Sequence, residues 1–209
     1  MFGKEYTIAA LEAICQDIIE HEEELNHLDN AIGDGDHGTN MARFSRIILQ
    51  ELPKIQEEKD ELGEIFHYVG MRCINEIGGS AGPLFGTFFL RAGMAAAGKT
   101  VLSAADWVTA FAAGSMGVSQ LGKSSEGDKT MLDAMFPAVR AMQEAAGTGG
   151  SLPEVFVAGV EAAENGVVYT KTIQANKGRA SYLGSRSIGH QDPGATSSLY
   201  MLQEIEKCL

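Results

Sequence analysis

The sequence predicts an all-α chain of eight helices packed as an antiparallel up-and-down array, and three observations carry that reading. Apolar residues recur at three-to-four spacing along most of the chain, whereas strand-like alternation is hard to find. Proline and capping residues stand where helices should begin, as at Pro83, Ser151-Leu152-Pro153-Glu154 and Asp192-Pro193. Connections between the periodic stretches are mostly short, which makes successive helices antiparallel neighbours. At 209 residues the chain suits one sizeable core and a single domain, 1–209.

The first helix puts Ile8, Leu11, Ile14, Cys15, Ile18 and Ile19 on one face and is expected to run out near Leu25. Met41, Phe44, Ile47, Ile48 and Leu52 form a second stripe, which Pro53 is expected to end. A third runs from Leu62 to Ile77, until Gly78-Gly79-Ser80-Ala81-Gly82-Pro83 interrupts it. The fourth, from Pro83 to about Gly98, is apolar nearly all round and should be buried on most sides. Ser103 and Asp106 signal a fifth, to about Gln120. Asp128-Lys129-Thr130 opens a sixth through Met131, Leu132, Met135, Val139 and Met142, kinked or restarted at Pro137. The seventh follows the Ser151 capping box to roughly Val168. Lys171 to Gln191 then loses the pattern, with four cations and no acid, and reads as a long functional loop. Asp192-Pro193 begins the eighth, with Leu199, Leu202 and Ile205 on one side.

Composition narrows the function. A net charge of −12 and a pI near 4.8 argue against nucleic-acid or anionic-membrane partners, which call for a basic footprint. Cys15, Cys73 and Cys208 are far apart and lack CxxC spacing, so reduced thiols in a cytoplasmic protein are expected, without a disulfide or zinc framework. Met1 to Glu5 shows no signal-peptide pattern, and Thr87 and Arg91 break the apolar stretch from Gly82 to Gly98, so no membrane span is expected.

Helix parity then locates the chemistry. In an up-and-down array the even-numbered helices all start at one end, which gathers Gly33–Gly38, Gly78–Gly82, Gly127–Thr130 and Gly189–Gly194 at a single rim. Helix N-termini carry free N–H groups, and glycine lets a phosphate approach the backbone. The same rim holds Asp29, Asp34 and Asp36, whose convergence calls for a hard cation such as Mg²⁺ or Ca²⁺. An EF-hand starting at Asp34 fails, because its fifth position is Gly38 and its twelfth is Ser45. No GxxxxGK[ST] motif is present either. Two readings stand: a metal-phosphate site, or a solvated turn with a helix cap.

Single residues divide in the same way. His37 is either a phosphate donor or a surface histidine. Arg179 offers a planar cation suited to a transferring phosphoryl group, in an acid-free segment of an acidic protein. His190 lies near Asp192, but that aspartate already has a task as N-cap. Met131, Met135 and Met142 read locally as core rather than as an adenine pocket. Lys129 is left open between a phosphate contact and a surface lysine at a helix start.

Four segments together resemble a known family. Asp29 with Gly33-Asp34-Gly35-Asp36-His37-Gly38-Thr39-Asn40-Met41, Gly78 to Thr87, Gly127-Asp128-Lys129-Thr130-Met131, and Lys177 to Gly184 with Ile188 to Ala195 are similar, in order, to the signature segments of ADP-binding L subunits of phosphoenolpyruvate-dependent dihydroxyacetone kinases. The resemblance implies an eight-helix antiparallel barrel with a nucleotide site at one rim. It implies two Mg²⁺ ions on Asp29, Asp34 and Asp36, and nucleotide or phosphate contacts from His37, Gly38, Thr39, Asn40, Ser80 and Ala81. Gly122 and Met131 would border the adenosine, and Arg179 with Asp192, Pro193 and Gly194 would close the site, Arg179 as the catalytic cation. Bound ADP would then be rephosphorylated by a phosphohistidine protein of the phosphotransferase system, and the ATP would serve dihydroxyacetone held on a separate K subunit. The 209 residues contain no second domain for that substrate, so the resemblance is to half of an active site. An ATP-exchanging kinase subunit for another short sugar, and a nucleotide-dependent module signalling to a transcription regulator, remain as alternatives.

Overall fold

The computed structural model describes residues 2–209 and is almost wholly helical, with every expected helix present and the first divided in two. Helix α1 (Lys4–Glu20) gives way to α2 (Glu22–Ile32) at His21, where the backbone leaves the helical region at φ −95°, ψ 13°. Glu22, Glu23 and Glu24 fill the first turn of α2, where carboxylates favour a helix start. The helix does not run out near Leu25, because Leu25, Asp29 and Ile32 share its buried face. Asp29 therefore sits on a helix, not in a loop.

Then follow α3 (His37–Glu58), α4 (Leu62–Glu76), α5 (Ala81–Ala95), α6 (Ala104–Gly122), α7 (Leu132–Gly147), α8 (Leu152–Thr170) and α9 (Pro193–Lys207). The only sheet among the described residues is a two-residue antiparallel pairing of β1 (Phe2–Gly3) with β2 (Val101–Leu102). Pro53 does not end α3: Leu52 and Ile55 on either side of it are both buried, and their packing carries the helix through to Glu58. Pro137 is likewise absorbed within α7, which starts at Leu132 rather than at Asp128. The stretch from Lys171 to Gln191 contains a 3-10 segment, Arg179–Ser187, interrupted at Gly184.

Sequential helices pack on one another and α9 returns to α1, so the array closes on itself. Phe66, Trp107, Phe156 and Phe111 fill its centre as an edge-to-face chain with ring centroids 5.7, 5.9 and 5.7 Å apart. Phe156 is fully buried. Part of the glycine content serves this packing rather than the rim, since a Cβ on Gly70 would lie 2.9 Å from the Gly86 carbonyl oxygen and the reverse holds too. Those two residues let α4 and α5 meet backbone to backbone. The three cysteines are free thiols. Among the described residues no helix is long and apolar enough to cross a membrane.

Candidate functional site

The starts of α3, α5, α7 and α9 and the ends of α2 and α6 surround one cavity of about 410 Å³, within the ~300–1,000 Å³ usual for small-molecule sites. Gly33, Asp34, Gly78 to Ala81, Thr130 and Asp192 to Gly194 all line it, and Lys177 to Ala180 lean in from the long loop. The gathering that helix parity requires is thus present in the fold.

Three carboxylates converge on one wall. An oxygen from each of Asp29, Asp34 and Asp36 lies within 4.8 Å of the others, and no other His, Cys, Asp or Glu cluster of this kind exists among the described residues. Asp29 is buried, and its Oδ2 accepts the backbone N–H groups of Asp36 at 3.0 Å and His37 at 3.2 Å. The chain can wrap so closely around that carboxylate only through glycine. A Cβ on Gly33 would stand 2.0 Å from Asp29 Oδ1, and Gly35 has φ +78°. A buried aspartate organising a loop that bears two more is costly for a solvated turn, and the all-oxygen donor set fits a hard divalent cation. Arg179 Nη2 pairs with Asp34 Oδ2 at 2.9 Å, which brings a guanidinium to the same cluster.

The start of α5 lines the same cavity. Ser80 makes no side-chain cap there, so the first-turn N–H of Ala81, which lines the cavity, has no side-chain partner, while Pro83 has none to satisfy. At the start of α3 His37 lines the cavity, and its Nε2 lies 3.0 Å from Ser197 Oγ on α9. Burial pulls its imidazole down to about 4, against the upward pull of Asp29 and Asp36, so it is neutral at neutral pH. Asp192 caps α9 by accepting the Ala195 N–H at 2.7 Å; burial pushes its carboxyl up to about 7, and the Ala195 amide draws it back.

Of the residues expected at a nucleotide site, His37, Asn40, Ser80, Ala81, Gly122, Met131, Arg179, Asp192, Pro193 and Gly194 line this cavity. Gly38 and Thr39 do not. They dock α3 onto α2: a Cβ on Gly38 would lie 2.0 Å from the Glu22 carbonyl oxygen, and Asn26 accepts the Thr39 N–H and donates to Thr39 Oγ1, both at 2.9 Å. Met131 joins two readings in one place, since it is 5% exposed within the core and also borders the cavity. His190 takes part through its backbone carbonyl, which accepts from Lys129.

Sequence reasoning missed two groups. Lys129 is neither a surface lysine nor a free phosphate contact; it is buried, with its ammonium bonded to backbone carbonyls. Asp133, also buried, accepts the Gly127 N–H at 2.6 Å and the Thr130 N–H at 2.8 Å, and so shapes the turn ahead of α7. The signal available for Asp133 was its place three residues after Thr130 at a helix start. Nothing local marked Lys129.

Comparison with known proteins follows the same lines. The DAK2 domain matches residues 31–207. The chain is 44% identical over 190 residues to the PEP-dependent dihydroxyacetone kinase ADP-binding subunit DhaL of Escherichia coli, covering 90% of each chain. It is 39% identical over 199 residues to the corresponding subunit of kinase 1 of Listeria innocua, covering 94% of this chain and 92% of that one. The human triokinase/FMN cyclase is 35% identical over 199 residues, covering 95% of this chain and 34% of that longer protein. Among solved structures, the dihydroxyacetone kinase of C. freundii in complex with AMP-PNP and Mg²⁺ superposes with a TM-score of 0.72 at 26% identity. That match covers 99% of this chain and 35% of the kinase, so this chain spans about a third of that longer enzyme.

Proposed function

Since this chain belongs to the DAK2-domain family, we propose that it is the ADP-binding subunit of a phosphoenolpyruvate-dependent dihydroxyacetone kinase, a phosphotransferase completed by partner subunits in the cytoplasm. The observation that carries the reading is one juxtaposition. Three carboxylates within 4.8 Å of one another share a cavity of about 410 Å³ with an α5 start that has no side-chain cap. Nucleotide phosphates need both, a cation for their charge and N–H groups for their oxygens.

In this reading Asp29, Asp34 and Asp36 hold two Mg²⁺ ions, which when bound neutralise phosphate charge and act as Lewis acids. The protein's own groups do the rest. Asp29 is fixed by the Asp36 and His37 amides, so the cluster is preorganised. Neutral His37, Gly38, Thr39, Asn40, Ser80 and Ala81 border the phosphates, Gly122 and Met131 the adenosine, and Asp192-Pro193-Gly194 closes the far side. Arg179 stands at the cluster on an exposed segment, where a planar cation can meet the charge of a transferring phosphoryl group in either direction. A phosphohistidine protein of the phosphotransferase system supplies the phosphoryl group to bound ADP. The resulting ATP passes it to dihydroxyacetone on a K subunit.

Two measurements test this. In the reconstituted three-protein system Asp34→Ala and Asp36→Ala should each abolish phosphoryl transfer while leaving the thermal transition in place; transfer surviving both substitutions would sink the proposal. The purified wild-type chain, denatured without added nucleotide, should release near-stoichiometric ADP and about two magnesium ions. An empty protein that exchanges ATP quickly would favour the ATP-consuming kinase of another short sugar, or a module whose complex with a transcription regulator depends on ADP against ATP.

A further inference from the structure

Lys129 lies in the turn between α6 and α7, yet it is only 1% exposed, and its backbone adopts φ +61°, a region unfavourable to a residue with a Cβ. Its Nζ donates to the carbonyl oxygens of Thr170 at 2.5 Å and Ile173 at 3.4 Å, and to that of His190. Although Lys129 also lines the cavity, its ammonium has three donors, two committed to Thr170 and His190 and the third turned towards Ile173. The buried carboxylates of Asp192 and Asp133 supply the opposing charge.

Those three carbonyls lie at the two ends of a single excursion. Thr170 closes α8, Ile173 follows it by three residues, and His190 stands just before α9. Further bonds draw the same two ends together: Gly189 N–H to the Lys171 carbonyl at 2.8 Å, and Asp192 N–H to Thr170 Oγ1 at 3.1 Å. Between them the chain runs out to Arg179, which reaches Asp34. The outer part rests on α2 through a small apolar cluster of Ile32, Ala175, Ala180 and Leu183. The excursion thus has a charged, buried neck and a lightly held tip.

We propose that Lys129 is a positioning residue for phosphoryl transfer. Its ammonium staples the neck of the 171–191 excursion, so that Arg179 is presented to the carboxylate cluster from a fixed base. Lys129 itself touches no nucleotide. The proposal rests on the reading of Arg179 given above, and one part of its test stands apart from that reading.

The test uses the full chain with Lys129→Met, which keeps the length of the side chain and removes the donors. Hydrogen exchange, read without nucleotide, should rise at least about tenfold across residues 171–191 and stay at wild-type levels in α1, α4 and α5. In the reconstituted system kcat should fall about 100-fold, the scale of a small misplacement of a catalytic group, with the KM for Mg-ADP changed less than about threefold. In an Arg179→Ala background the same substitution should cost less than about threefold, because it acts through an arginine already gone. Unchanged exchange in the excursion overturns the staple. An equal loss of kcat in both backgrounds overturns positioning through Arg179, and a large rise in KM with unchanged exchange makes Lys129 a phosphate contact after all. If Lys129→Met does not fold, Lys129→Gln, neutral and one bond shorter, takes its place, and the same exchange and kcat pattern is required of it. If Arg179→Ala alone leaves transfer intact, the catalytic reading of Arg179 fails, whereas the exchange result still decides the staple.

Discussion

The two rims of the helical array begin their helices in different ways. At the rim away from the cavity, α6 and α8 are capped locally, while α4 has no side-chain cap and its first amide bonds the Lys99 carbonyl. Ser103 Oγ accepts the Asp106 N–H at 3.2 Å and Asp106 Oδ2 accepts the Ser103 N–H at 3.0 Å, while Glu154 accepts the Ser151 N–H at 2.8 Å. At the cavity rim, the partners of α3 come from elsewhere in the chain, from Asp29 and Asn26 of α2, and α5 has none from a side chain. The starts of α7 and α9 follow the local pattern there, through Asp133 and Asp192. The starts of α6 and α8 are thus stabilised locally, whereas those of α3 and α5 beside the carboxylate cluster are not, as expected where activity and stability compete.

Titration separates the rims as well. Asp106 is drawn down to about 2, by Lys99 first and then by the Ser103 amide and hydroxyl, whereas burial pushes Asp192 up to about 7 and also raises Asp133. Local charge pairing stabilises the first carboxylate. The other two are buried beside the cavity, with backbone amides and Lys129 only partly offsetting the cost.

The largest break in this comparison should come from Arg179→Ala. Removing a transfer-stabilising arginine costs about 10³-fold or more in rate, while its exposed pairing with Asp34 contributes at most about 1 kcal/mol to folding. Reconstituted transfer should collapse and the melting temperature of the nucleotide-free chain should barely move. A drop of many degrees would mean that the cavity rim also carries stability.

A smaller effect of opposite kind is expected from Ser103→Ala. Loss of this cap should cost about 1 kcal/mol, or roughly 2–4 °C in melting temperature for a chain of this size, with phosphoryl transfer at wild-type levels. A change in transfer without a change in melting temperature would contradict the division of labour between the rims.

That division also explains what was legible in the sequence. The helices, the Ser103 and Ser151 caps, the Asp192-Pro193 start and the convergence of glycine stretches on one rim all depend on residues close together in the chain, and each is present in the fold. What escaped depends on distant partners. The first helix is expected to stop near Leu25, yet the burial of Asp29 and Ile32 carries α2 to Ile32, and Pro53 does not end α3 because of the packing of Leu52 and Ile55, which is invisible in one dimension. Gly38 and Thr39 fall in a stretch that reads as a ligand loop, and their additional packing against Glu22 and Asn26 of α2 depends on partners more than ten residues away. Lys129 bonds to carbonyls 41, 44 and 61 residues away, so no local pattern could have found it.

The smallest effect sharpens the comparison through pH. Because the folded-state Asp106 sits at about 2, below the ~3.9 of an unfolded chain, its contribution is fully present above pH ~4 and is lost as pH falls through about 2. Asp106→Asn should therefore melt lower than wild type at pH 7. Since the pair with Lys99 is partly exposed, the gap corresponds to less than about 1 kcal/mol. It should shrink steadily between pH 4 and pH 3, and high salt at pH 7 should narrow it too. The sign follows from the local cap: a carboxylate stabilised by a neighbouring ammonium and amide gains from being charged, whereas Asp192, raised by burial, works against folding as pH rises from ~4 towards about 7. A gap that stays constant from pH 7 to pH 3 would show that Asp106 acts through its shape alone, and the electrostatic half of the contrast between the rims would fall.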